Sequence, residues 1–324
     1  MNDTRRAVLD ALADGPMSGP ELADALDVSR NAVWKHVEAL RKSGFEIEST
    51  SDGYRLGEIP EFGPAVEYGL EAPFAIEYHD SIGSTNDRAR ELAGEGAKDV
   101  VVLTDQQVGG RGRLEREWVG PSGGVWSSLV LRPEIPPSHA PLLTLAAAVA
   151  VTRAAREAGV PAEIKWPNDV LLTDGEANER ESEQGADEIP VQPEKLSGIL
   201  TEMEGEADRV SWVVVGIGVN VNIDADELPD GATSVQESVG TINRRVFTQR
   251  LLEEFDTLRA APEKILPAWR DHAATLGQRV RVETRTGTVV GTAVDIESPG
   301  VLVVETDEGT VRVHAGDCEH LRPA

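Results

Sequence analysis

Residues 109–118 read GGRGRLEREW and set Arg111, Arg113 and Arg116 beside Gly109, Gly110 and Gly112. Glycine lets a backbone bend sharply and approach a ligand. Arginine offers fixed, bidentate charge to carboxylates and phosphates. Ten residues of this kind make an anion clamp or a solvated turn, and alone they do not decide between the two. Other polar clusters stand with them at strand ends. SIGSTND opens a helix with Ser84, Thr85 and Asn86, and N-capping accounts for one of the three. Gln107 comes just ahead of the clamp in DQQVGGRGR. KWPNDV puts Lys165, Trp166, Pro167, Asn168 and Asp169 inside the apolar stretch AEIKWPNDVLL, read as one strand. Pro167 breaks a central ladder, so a bend is expected there. KLSGIL supplies Lys195 ahead of Gly198, and GIGVNVN supplies Asn220.

The elements that must position these groups alternate in type. AIEYHDSI, DVVVLTDQQ, GVWSSLVLRP, AEIKWPNDVLL, LSGILTEME and SWVVVGIGVNVNI read as strands, and STNDRARELAGEG, the run from Leu142 and Arg245–Leu258 as helices. The strands on either side of residues 205–210 look hairpin-connected. The class is therefore α+β with a mixed central sheet, over 74–270. Inside it, Asp174 to Glu194 holds eight acids and one arginine with few apolar residues, an expected disordered insertion. Residues 275–324 are short alternating strands parted by turn residues, expected as a small SH3-like β-barrel.

Residues 1–57 have a pattern of their own. TRRAVLDALADG puts Val8, Leu9 and Leu12 on one helix face and closes at Gly15. A short helix (Glu21–Leu26), a turn at Asp27-Val28 and a longer helix capped by Ser29 follow, with Val33, Val37 and Leu40 inward. FEIESTSDGYRL alternates, turns at Asp52-Gly53 and alternates again. This order is that of a winged helix-turn-helix. Between Ser29 and Lys42 there are four basic residues against Glu38 alone, a net +3. That local charge favours DNA over a plain three-helix interaction module. Ser29, Arg30, Asn31, Trp34 and Lys35 are the candidate DNA contacts, with an inward-packed Trp34 as the alternative. Residues 58–73, rich in Gly and Pro, are the expected linker.

Composition bounds the rest. The 324 residues carry 57 acidic and 31 basic side chains, a net charge of −26. The acids are scattered and lysine is scarce beside arginine. Such a surface suits concentrated salt, where the Debye length is about 3 Å, so the charge is read as a sign of habitat rather than of partner. No apolar run is long enough for a membrane span, and MNDTRRAVLDALADG carries acids in place of a signal-peptide core. A cytoplasmic location is expected. The single cysteine, Cys318, excludes an internal disulfide and a cysteine-based zinc site.

GGRGRLEREW, KWPNDV, KLSGIL and GIGVN, in this order and spacing, resemble the biotin–protein ligase family. With the winged helix in front, the resemblance extends to its bifunctional ligase and biotin-operon repressor members and covers nearly the whole chain. It implies ATP-dependent formation of biotinyl-5′-AMP and transfer of biotin to a lysine of a biotin carboxyl carrier domain. It also implies operator DNA and a homodimer paired through an edge strand. Ser84, Thr85, Asn86, Gln107, Arg111, Gly112, Arg113 and Lys195 would hold biotin and its adenylate. Trp118, Lys165, Asn168 and Asn220 would serve ATP, which brings Mg2+, and Lys195, Arg113 and Asp169 would be catalytic. One departure stands out. Leu114-Glu115-Arg116-Glu117 replaces further glycines and basic residues, placing two acids in the loop. A biotin-sensing regulator without ligase activity, and a ligase whose winged helix leaves DNA alone, are the competing readings.

Overall fold

The computed structural model describes residues 1–173 and 193–321. The expected insertion at 174–194 lies outside them, save Pro193 and Glu194.

Three helices and a hairpin form the N-terminal unit: α1 (Asp3–Ala13), α2 (Gly19–Ala25), α3 (Arg30–Lys42), β1 (Ile47–Thr50) and β2 (Gly53–Leu56). Helix α2 starts two residues earlier than expected because Ser18 and Glu21 form a reciprocal capping box. Ser29 caps α3 by accepting the Ala32 N–H at 3.2 Å. Val8, Leu9, Leu12, Leu22, Val33, Val37 and Leu40 close a separate core. Gly53 is required at the hairpin: its φ is +120°, and a Cβ would meet the Met17 carbonyl oxygen at 2.3 Å.

The linker is packed rather than loose. Phe62, Val66 and Leu70 are buried in the central core, while Ala65 belongs to the N-terminal one. Arg244 fastens it further through Glu61 and reaches Asp105 in the central sheet at 2.6 Å.

That sheet contains β3 (Ala75–Ile82), β4 (Val100–Arg111), β5 (Glu117–Gly120), β6 (Val125–Leu131), β7 (Ala162–Lys165), β8 (Asp169–Leu172), β9 (Glu194–Gly205) and β10 (Val210–Val219). The order is β3-β4-β6-β10-β9-β8-β7, with β5 on β4. Only the β3–β4 pairing is parallel among the described strands, so the sheet is mixed as expected. AEIKWPNDVLL is not one bent strand. It is the β7–β8 hairpin, folded at Trp166–Asn168, with Lys165 opposite Asp169.

Helix α4 (Thr85–Gly94) packs on β4, β6 and β10, whereas α5 (Pro141–Glu157) packs on β7 to β10. Alanine-rich α5 is buried along most of its length, because α7 (Arg244–Ala260) and α8 (Ile265–Arg270) cover its outer side; α6 (Val235–Val239) is a single short turn. Alternation along β10 splits the two faces. Val213, Val215, Ile217 and Val219 join the main core, while Val214, Gly216 and Gly218 face the α4 side.

The C-terminal unit is a five-stranded antiparallel sheet: β11 (Arg279–Thr284), β12 (Gly287–Glu297), β13 (Val301–Thr306), β14 (Gly309–Val313) and β15 (Asp317–His320), ordered β14-β13-β12-β11-β15. Its inner residues, among them Val280, Ile296 and Leu302, run into the central core. No helix among the described residues is long and apolar enough to cross a membrane.

Candidate active site

A cavity of about 430 Å³ opens on the α4 side of the sheet, where α4, β4, β5, β8, β9 and β10 meet. Its floor is glycine. A Cβ on Gly198 or Gly218 would come within 2.8 or 2.9 Å of the Trp118 indole, and one on Gly216 within 2.1 Å of Asn86 Oδ1. Glycines at these alternate positions let a flat aromatic ring lie on the strands. Trp118 does so, with Trp126 at its edge (ring centroids 6.2 Å apart) and Lys195 Nζ 5.1 Å above it. The Trp118 indole N–H is buried without a partner among the described residues.

One wall is the start of α4. Ser84 is the N-cap, accepting the Asp87 N–H at 3.3 Å. Thr85 donates its N–H and O–H to Gln107 Oε1 at 2.8 and 3.0 Å. The Ser128 hydroxyl lies 2.7 Å from Thr85 Oγ1 and 2.6 Å from Asn86 Oδ1. Asn86 in turn donates to Glu202 at 2.8 Å. These buried polar groups are mutually satisfied and therefore rigid.

The arginine loop forms the opposite lip. Arg111 pairs with Asp87, and Arg116 with Asp317 of the C-terminal unit. Arg113 donates to Asn168 Oδ1 and to the Gly316 carbonyl, both at 3.0 Å. Asn168 is held from its other side, donating to the Ile199 carbonyl at 2.9 Å. Lys195 Nζ stands 2.8 Å from Asp169 Oδ1. Four cations, Arg111, Arg113, Arg116 and Lys195, line the cavity against Asp169 and Glu117. Three of these cations are held by carboxylates, Arg111 by Asp87, Arg116 by Asp317 and Lys195 by Asp169, while Arg113 is held mainly by Asn168 and the Gly316 carbonyl.

Of the thirteen expected cavity residues, Ser84, Thr85, Asn86, Gln107, Arg111, Gly112, Arg113, Trp118, Asn168, Asp169, Lys195 and Asn220 line this one space. Lys165 does not. It ends β7, beyond the lining, close enough to Cys318 and His320 to favour the thiolate of one and oppose protonation of the other. Burial dominates both, pushing Cys318 up to about 11 and His320 down to about 4. The Asn220 amide is engaged with the Thr233 carbonyl at 2.9 Å, which fixes the loop behind the cavity. Sequence reading missed Ser128, hidden in an apolar strand, and Gly316 and Asp317, two hundred residues from their partners. The alternation of Gly216 and Gly218 was a visible signal for the floor.

On the winged unit, Ser29, Arg30, Asn31, Trp34 and Lys35 are all exposed. Trp34 is 53% exposed, so the inward-packed alternative is excluded. Arg41 points to the wing instead, bonding Glu38 at 2.7 Å and the Ile47 carbonyl at 2.8 Å.

Fold and site together define a mixed-sheet domain with a glycine-floored, arginine- and lysine-lined cavity, joined to a winged helix-turn-helix. The comparisons with known proteins narrow this. Residues 78–220 match the Biotin/lipoate A/B protein ligase family, 275–321 the biotin protein ligase C terminal domain and 4–55 an HTH domain. The chain is 40% identical to the bifunctional ligase/repressor BirA of Bacillus subtilis (strain 168), covering 94% of this chain and 93% of that protein. The biotin--[acetyl-CoA-carboxylase] ligase of Mycobacterium tuberculosis is 34% identical over 74% of this chain and 86% of its own. Among solved structures, the biotin protein ligase from Aquifex aeolicus in complex with biotin and ATP superposes with a TM-score of 0.60 at 23% identity. It covers 76% of this chain and 99% of its own. The chain belongs to the biotin–protein ligase family, with the domain order of its bifunctional ligase/repressor members.

Proposed function

We propose that this cavity carries both half-reactions of biotin ligation. In the first, the biotin carboxylate attacks the α-phosphorus of ATP and pyrophosphate leaves. In the second, the amine of a carrier-domain lysine attacks the carbonyl of biotinyl-5′-AMP, AMP leaves, and an amide remains. The observation that carries this reading is the convergence of Arg113, Lys195 and the α4 N-terminus on one glycine-floored cavity. Both reactants of the first step are anions, and charge builds on the phosphoryl oxygens in its transition state. Arg113 and Lys195 supply opposing charge there, and Lys195 changes partner from Asp169 to the biotin carboxylate. Oriented donors of this kind are each worth roughly 10²–10³ in rate. Trp118, lying on Gly198 and Gly218, flanks the adenine. Asp169, released from Lys195, orients or deprotonates the incoming amine.

Magnesium enters with the triphosphate as part of the substrate. Among the described residues no cluster of three or more His, Cys, Asp or Glu side chains offers a resident metal site. Asp169 and Glu117, on separate strands, are the carboxylates of the described lining, which fits an ion bound chiefly by phosphate oxygens.

The winged unit reads operator DNA through the exposed N-terminal half of α3. Arg30, Lys35 and Lys42 form no ion pair among the described residues, whereas the Arg41 charge is matched by Glu38. With so few cations per copy, tight binding requires a homodimer. The dispersed acids and the cytoplasmic location belong to the same reading, a protein working in concentrated salt. Lys35→Ala should lower operator affinity and reduce the slope of log K against log salt by about 1; an unchanged slope would take Lys35 off the DNA.

The test of ligation is transfer of labelled biotin to a biotin carboxyl carrier domain, with ATP and magnesium, across a KCl series. Labelled carrier with AMP as co-product is expected, with activity retained at molar KCl. Neither product at any salt would overturn the ligase reading and leave a biotin-sensing regulator.

A further inference from the structure

The turn that carries Asn168 and Asp169 is anchored from behind by two residues of the C-terminal segment. Residues 272–275 run beside β7: the Ile164 N–H donates to the His272 carbonyl at 2.7 Å, and the Ala274 N–H to the Ile164 carbonyl at 2.9 Å. This register brings Thr275 level with Trp166, one residue past the end of β7, where the β7–β8 ladder has stopped. There the Trp166 N–H donates to Thr275 Oγ1 at 2.9 Å. Both residues are sealed from solvent, Thr275 at 0% and Trp166 at 1% exposure. Thr275 Oγ1 also lies 3.0 Å from His320 Nε2, on β15.

A hydroxyl has one proton to donate. With Trp166 donating to the oxygen, that proton is left for His320 Nε2, which accepts it in the neutral ring. Burial keeps His320 neutral at ordinary pH. The chain His320–Thr275–Trp166 thus gives the Thr275 hydroxyl a donor on one side and an acceptor on the other. On the cavity side of the turn, Asn168 meets Arg113 and Ile199, and Asp169 meets Lys195.

We infer that Thr275, with its hydroxyl oriented by His320, is a positioning residue for biotin activation: it fixes the start of the 166–168 turn and so sets where Asn168 and Asp169 stand at the cavity. The inference rests on the cavity being the adenylation site. Thr275 reaches neither substrate, so its effect is on geometry at the reacting groups, where small displacements are costly in rate.

The experiment is biotin-dependent exchange of pyrophosphate into ATP by the full chain, comparing wild type with Thr275→Val, Thr275→Ser, His320→Leu and Asn168→Ala. Thr275→Val keeps the shape and removes the hydroxyl. It should lower kcat about tenfold, equivalent to about 1.4 kcal/mol of barrier, with KM for biotin within twofold. Thr275→Ser restores the oxygen and should return kcat to within threefold of wild type. His320→Leu leaves the Trp166 acceptor in place and should lower kcat about threefold, which keeps the inference testable should the valine variant fail to fold. Wild-type kcat in Thr275→Val or His320→Leu, or a serine variant as slow as the valine one, overturns the positioning role. The failure of the site reading looks different: Asn168→Ala would then exchange at the wild-type rate.

Discussion

The arginine loop and the KWPND turn meet at the cavity through Arg113 and Asn168, yet they are held by different physics. Beyond the short β4–β5 pairing, the loop is fastened by ion pairs open to solvent, Arg111 to Asp87 and Arg116 to Asp317, and its Val108 and Leu114 are each 72% exposed. Exposed pairs contribute about 0–1 kcal/mol each and weaken with salt. The turn is fastened by buried hydrogen bonds, its Trp166 indole reaching the Gly300 carbonyl at 3.1 Å and its main chain reaching Thr275. Leaving such a group unpaired costs about 1–3 kcal/mol. One side of the site is tied mostly at the surface, by contacts that salt weakens. The other is built to stay where it is.

The largest break in this comparison should come from Arg113, the loop residue that touches the turn. Arg113→Ala should shorten the lifetime of bound biotinyl-AMP and lower kcat by about 10²–10³, while thermal stability changes little. An unchanged adenylate lifetime would remove Arg113 from the clamp. Next comes the floor between the two. Gly218→Ala puts a Cβ 2.9 Å from the Trp118 ring and should raise KM for ATP about tenfold with KM for biotin less affected. Equal effects on both would mean that Trp118 does not flank the nucleotide.

The buried side also carries a pH signature. Burial first, with Lys165 assisting, drives His320 from its ordinary 6.5 to about 4 in the folded chain. The unfolded chain therefore takes up the proton first. This contribution to stability is whole above about pH 6.5 and is lost as pH falls toward 4. His272, lowered by burial and by Arg156 and Arg153, adds to the same window. The urea midpoint should fall between pH 6.5 and 4, and His320→Leu should flatten part of that fall. A variant with the wild-type slope would separate His320 from it. The smallest effect belongs to the exposed pair. Asp317→Asn should change adenylate lifetime less than threefold at low salt and not at all in 1 M KCl; a larger effect that survives salt would make Asp317 part of the fixed wall.

The same contrast governs what the sequence disclosed. Helix faces, caps and the C-terminal strands were legible because period and capping chemistry are local, and Ser29 and Ser84 cap where their spacing says they should. Ser84, Gln107, Asn168 and Lys195 stood out as polar side chains at strand ends, where structure gives them few reasons to be, while Gly112 and Trp118 came from the motifs of the family resemblance. KWPND was misjudged as a bend in one strand, since an apolar run of that length does not distinguish one strand from two joined by a tight turn. Lys165 was assigned to ATP by the family resemblance; it pairs with Asp169 across the β7–β8 hairpin but is not among the residues that line the cavity. The linker carried its Gly and Pro openly and concealed Phe62 and Val66, whose burial depends on Arg244 and a helix far down the chain. Thr275, Gly316 and Asp317 were silent because their partners lie a hundred residues or more away.

The most direct test of the central claim is amide hydrogen exchange of the full chain with and without biotin and MgATP. The loop-tip amides of residues 113–115, which lie beyond the β4–β5 pairing, should exchange readily in the free protein and gain at least tenfold protection on ligand binding. The Trp166 and Ile199 amides should be protected in both states and change little. A turn that gains protection together with the loop, or a loop already protected without ligand, would contradict the division into a releasable lip and a fixed wall.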